Sequence, residues 1–141
     1  MKYYLLILLQ IGWVFLHAQS FNGHWKGVIL RDFENETRRD SITLELEQNG
    51  NKITGFSFLQ VDSIHFIKAA ITGEYNASIQ LLRLTETSVV ELNIPDRGEE
   101  IFLDRYLLNI GEVERNELSG KSVPCDNKHK YARSKMMLQR Q

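Results

Sequence analysis

The chain has 141 residues, 43% of them apolar, with 17 basic and 18 acidic side chains, a net charge of −1 and one cysteine. That length supports one domain, and a near-neutral balance without a block of like charge gives bulk electrostatics no hold on nucleic acid or an anionic membrane. A single cysteine excludes an intrachain disulfide, so the fold must stand on its own core.

Residues 1–20 read as a signal peptide. Lys2 is followed by a nearly unbroken apolar run from Tyr3 to Leu16 and then by Ala18-Gln19-Ser20. This is the charged, apolar and small-residue order of a cleavable leader, and the run is short for a membrane span, which needs about 20 residues. Cleavage falls after Ala18 or after Ser20; the second choice satisfies the small-x-small rule and makes Phe21 the new N-terminus. No cysteine follows the run, so a thioether-lipid anchor is unavailable. The expected product is exported, periplasmic or secreted, with residues 21–141 as its one domain.

Beyond the leader, alternation dominates and helical periodicity is nearly absent. Phe21–Arg31 is the first expected strand. Asp32–Asp40 follows as a loop, with Arg38-Arg39-Asp40 as a solvated charged cluster. Ser41–Glu47 alternates most clearly: Ile42, Leu44 and Leu46 share one face and Thr43, Glu45 and Glu47 the other, as in a half-buried antiparallel strand. Asn49-Gly50-Asn51 supplies a hairpin turn. Further strands are expected at Lys52–Val61, Ile64–Tyr75, Ala77–Thr85, Ser88–Ile94, Ile101–Ile110, Asn116–Val123 and Tyr131–Gln139. Ala77–Thr85 and Ser88–Ile94 form one bent strand or two, because Leu81 and Leu82 put apolar groups on both faces. Pro95-Asp96-Arg97-Gly98 is a turn signal. Eight or nine short strands at this spacing predict an all-β, antiparallel barrel or sandwich.

An internal pattern sharpens the choice. Ile53-Thr54-Gly55 recurs as Ile71-Thr72-Gly73 and Leu118-Ser119-Gly120, with Phe21-Asn22-Gly23 as a looser copy. Glycine within a strand weakens it, so it marks a hard bend or a close approach. Several such steps suit an up-and-down meander that closes on itself.

Gly23-x-Trp25 at the start of the first strand resembles the opening motif of the calycins, the group of lipocalins, fatty-acid-binding proteins and avidins. The resemblance implies a single eight-stranded antiparallel barrel with Trp25 as a plug at one end and a basic residue of the last strand, Arg140 or Lys135, packed over it. Gly23, Gly55, Gly73 and Gly120 would be structural members of that barrel. The Thr-Gly steps look more like the avidin type than the larger lipocalins. Avidin pockets are walled by several tryptophans, whereas Trp25 is the only one after the leader, so biotin binding is not implied.

Candidate chemistry is thin. Cys125-x-x-x-His129, with His24 and His65, offers metal-ligand types but not the tight spacing of a built site, and Cys125 reads as a loop thiol. Neither a nucleophile elbow nor an acid pair is recognisable; Glu99 and Glu100 would point to opposite faces of a strand. No catalytic residue, cofactor or metal is therefore assigned. Asn35-Glu36-Thr37 and Asn76-Ala77-Ser78 match glycosylation acceptors. Two readings follow. In the first, the barrel binds a small, largely apolar ligand, with Ile42, Leu44, Leu46, Phe56 and Phe58 as possible ligand-facing side chains. In the second, the interior is filled, and a protein partner meets the N-terminus and loops 32–40, 86–100 and 124–130, as in an inhibitor or an accessory to an envelope complex. Self-association is compatible with either.

Overall fold

Alternating strands with one apolar face bury it most completely by curling until first and last strands meet. In a computed structural model, which describes residues 20–94, 101–111, 116–126 and 133–141, this chain does so. Eight strands follow in order: β1 (Gly23–Asp32), β2 (Thr37–Asn49), β3 (Lys52–Gln60), β4 (Phe66–Asn76), β5 (Leu81–Asn93), β6 (Asp104–Ile110), β7 (Glu117–Pro124) and β8 (Arg133–Arg140). Each pairs antiparallel with its chain neighbours, and β1 pairs with β8 to close the barrel. The fold is an all-β, eight-stranded, up-and-down barrel, compatible with a calycin-like architecture.

Two boundaries differ from expectation. β2 begins at Thr37, so Arg38, Arg39 and Asp40 lie on a strand rather than in a solvated loop, and Asp40 is buried. Of the two alternatives around residue 86, the chain forms one bent strand, β5, but it starts at Leu81 rather than Ala77 because Ala77–Gln80 forms a turn. The β4–β5 register shifts between Lys68 and Ala69 and again between Ala70 and Ile71, leaving Thr87 and Val90 of β5 without opposite partners. These bulges bend β5 and break its alternation, which is why its faces are hard to assign from sequence. The leader before Ser20, the Pro95–Gly98 turn, Glu99-Glu100 and His129 lie outside the described residues.

The interior is packed through its lower and middle parts. Trp25, Ile29, Ile42, Leu44, Leu46, Ile53, Ile71, Leu82, Leu84, Leu108, Leu118, Met136 and Leu138 are all at most 2% exposed, so no ligand-sized space remains beside them. Close coiling brings strands within reach of one another at the inward glycines. A Cβ on Gly55, whose φ is +155°, would sit 1.8 Å from the Glu45 carbonyl oxygen, and one on Gly120 would sit 1.9 Å from that of Leu107. Only glycine fits either place. Gly73 is similarly crowded, whereas Gly23 faces open space and instead needs its φ of +111°.

The end where β1 starts is sealed. Trp25 is fully buried and its Nε1 donates to the Phe21 carbonyl at 2.9 Å. The Arg140 guanidinium lies 4.6 Å from the indole centroid, and the Phe21 ring packs 4.8 Å from Tyr75. Of the two basic residues the resemblance offered for this position, Arg140 occupies it; Lys135 is exposed and in register with Leu30. Arg140 Nη2 also donates to the Ser20 carbonyl, which ties the incoming chain to the last strand. A fully buried tryptophan held by Phe21 and Arg140 has no small replacement. Trp25→Ala should destabilise the fold by about 3–5 kcal/mol in urea denaturation, and a change near zero would remove the plug role.

Candidate functional site

The inward positions change character toward the opposite end. On four strands the next inward residue after the apolar series is charged: Arg31 on β1, Asp40 on β2, Glu86 on β5 and Asp104 on β6. All four are buried. Charges out of water require partners, and these supply one another. Arg31 Nη1 bonds Asp40 Oδ2 at 3.1 Å, and Arg31 Nη2 bonds Asp104 Oδ2 at 2.6 Å. Arg38, at the rim, donates to the other oxygen of Asp40 at 3.2 Å.

Glu86 sits beside this bridge. Its Oε1 accepts from the hydroxyls of Ser57 and Tyr106, and its Oε2 accepts from the Asp104 backbone N–H at 2.8 Å. Burial pushes the Glu86 carboxyl above the ordinary carboxylate range, and the three hydrogen bonds and neighbouring Asp104 modulate that rise. Burial and the adjacent carboxylates also push the Tyr106 hydroxyl well above its usual value, so it remains a proton donor. Across the barrel, Ser134 Oγ donates to the Ser122 carbonyl at 2.6 Å and accepts from the Ser122 N–H at 2.9 Å.

This polar layer is the floor of a cup with a volume of about 830 Å³. Its rim carries Phe33, Arg38, Arg39, Asp62 and His65, and Leu59, Val61 and Ile67 supply apolar wall. The wall continues upward on one side. β5 pairs with β6 only from Leu81 to Thr85 but with β4 along its whole length. The β4–β5 pair therefore rises above the floor, with Leu92 opposite Ile67 and Val89 opposite Ala69 on the inner face. Leu92 and Val89 are 44% and 39% exposed, so part of that inner face is open.

The rim has one oriented acid–imidazole pair. His65 Nδ1 lies 2.6 Å from Asp62 Oδ2, while Asp62 Oδ1 accepts from the backbone N–H groups of Ile64 and His65. These contacts hold the Asp62 carboxyl well below the usual range, the His65 hydrogen bond contributing most. His24 lies at the sealed end, 3.8 Å from Glu45, so His24 and His65 do not converge. Cys125 is exposed, with its N–H donated to the Leu103 carbonyl, and partial desolvation raises its thiol pKa.

The expected ligand-facing residues divide. Ile42, Leu44 and Leu46 point inward and are buried in the packed part. Phe56 and Phe58 are corrected to the outer face: alternation on β3 sends Ile53 and Ser57 inward, so the residues beside Ser57 must point out. Phe58 stacks on Phe66 at 4.9 Å, and Lys68 lies 4.7 Å over the Phe56 ring. Of the floor residues, sequence singled out only Asp40, as part of a solvated loop cluster; Arg31, Glu86 and Asp104 were not singled out, although each of the four shares the inward face of its strand with Trp25, Leu44, Leu84 or Leu108. No protein-family model matches the chain, and no curated protein matches it.

The floor makes stability depend on pH. Because the folded-state pKa of Glu86 lies above the ordinary 4.5, the folded state favours the protonated carboxyl. Its stabilising share is complete below the unfolded value and disappears as pH rises through the folded one. Glu86→Gln has no such proton, so the wild-type stability minus that of the variant should fall as pH rises above the ordinary 4.5. A difference that stays constant over that rise in urea denaturation would remove this account of the floor.

Proposed function

We propose that this barrel is an exported binding module that holds a small amphipathic molecule in the cup at its open end. The observation that carries the reading is the asymmetry of the interior. One end is sealed by Trp25 and Arg140, the middle is filled, and the other end opens as a cavity of about 830 Å³ over a polar floor. That volume is within the range of small-molecule sites, about 300–1,000 Å³, which combine apolar walls with a few fixed polar groups. Leu59, Val61 and Ile67 provide the apolar side; Arg31, Asp104 and Glu86 provide the polar one. A wholly apolar ligand would leave that floor dry without improving its hydrogen bonds, so a molecule with a polar head and a short apolar part fits better. Export rests on the leader-like residues 1–20.

A second reading has its own support. Val90 and Leu92 on the rising β4–β5 pair are 55% and 44% exposed, and Ile64 in the loop before β4 is 66% exposed; exposed apolar groups at one end of the barrel favour a protein partner. Native mass spectrometry of protein purified from its own host separates the two: a retained small molecule supports the cup, and a retained protein supports the arm.

A direct test uses an environment-sensitive amphipathic fluorophore. Wild-type protein should bind it, and Ile67→Trp, which fills the cup from its wall, should weaken binding by about tenfold or more while the fold survives. No binding by wild type, or equal binding by the variant, would overturn the cup as the site.

A further inference from the structure

The outer face of the barrel carries a second hollow, separate from the cup, with a volume of about 810 Å³. It lies on the outside of β3 to β6, beside the inward glycine of β4. A Cβ at Gly73 would approach the Arg83 carbonyl oxygen to 2.0 Å, so the strands there coil as tightly as the backbone allows. A tightly coiled sheet is saddle-shaped, and its outer surface dips where its inner one crowds.

Register organises the residues around the dip into two rows. One runs Lys52, Glu74, Arg83, Leu107 and Lys121 across five strands. The next runs Thr54, Thr72, Thr85 and Arg105. Lys52, Arg83, Arg105, Thr54 and Thr72 are exposed. None of the ion pairs among the described residues involves Lys52, Arg83 or Arg105. In a chain of net charge −1, three cations against Glu74 form a local reversal of sign.

We infer that this saddle binds an acidic polysaccharide, with Arg83 and Arg105 meeting its carboxylates and the threonine row meeting its ring hydroxyls. Three features select that partner. The hollow is shallow and open, so it suits a long chain rather than a small enclosed anion. Its strands are paired on both sides, so an acidic peptide finds no free edge on which to add a strand. None of the residues lining it is aromatic, so single-stranded nucleic acid finds no stacking platform. Arginine fits a planar carboxylate with two parallel hydrogen bonds, and a row of hydroxyls at sheet spacing both donates and accepts.

Affinity electrophoresis tests this directly, with polygalacturonate in a native gel and neutral dextran as the control. Wild-type protein should be retarded by polygalacturonate alone, and less so as salt is added. Arg83→Gln combined with Arg105→Gln should weaken binding about tenfold, the effect of losing two exposed charge contacts, with an unchanged thermal melt. Ile67→Trp, which blocks the cup, should bind like wild type. Absence of retardation, equal retardation of the double variant, loss of binding in Ile67→Trp, or stronger binding to polyglutamate or single-stranded DNA would each overturn the assignment.

Discussion

The open half of this barrel depends on one buried guanidinium. Arg31 spans from β1 to Asp40 on the adjacent β2 and to Asp104 on β6, 73 residues away in sequence. Removing one partner would leave an uncompensated buried charge, a loss of roughly 3–5 kcal/mol in comparable settings. The bridge closes the apolar core from above and fixes where filling stops. It also anchors the start of β6, whose Asp104 N–H completes the ring of donors around Glu86. The cup exists because this layer is polar: its side chains satisfy one another laterally and so do not fill the space above.

The sealed end follows a different logic. There the demand is to exclude water from a wide opening with few residues, and one tryptophan with three neighbours meets it. Phe21 supplies a carbonyl and a ring, Tyr75 backs that ring, and Arg140 lays its flat cation over the indole. One end is thus held by apolar volume and aromatic faces, the other by charge pairing. That difference gives the barrel a direction, and the binding role proposed above uses it.

Glycine links the inside of the barrel to its outer surface. The inward glycines let neighbouring strands approach until a Cβ would collide with a carbonyl oxygen. The same coiling that tightens the packed interior also dents the exterior around Gly73 and gathers side chains from four strands into the second hollow. The Ile-Thr-Gly steps mark both effects, since each threonine beside an inward glycine must face out.

Much of the barrel was legible in the chain because strand alternation is a local property. Ile42, Leu44 and Leu46 on one face, the Asn-Gly turn and the repeated glycine steps are enough to derive an antiparallel closing sheet. β5 resisted because its bulges at Thr87 and Val90 interrupt the period of two. Phe56 and Phe58 misled because large aromatic side chains suggest a core, while the parity of β3 sends them out to cover each other and their neighbours. The polar floor had a local trace: one further step inward from Ile29, Ile42, Leu84 and Tyr106 lands on a charge each time. By itself that step has no partner in sequence and reads as a strand end reaching water. Sequence determined the strands, their inward faces and the glycines that let them coil. Only the closed tertiary structure decided that four charges on four strands would stand at one height. Ring closure and stagger between strands set that height, and neither is a property of any one strand.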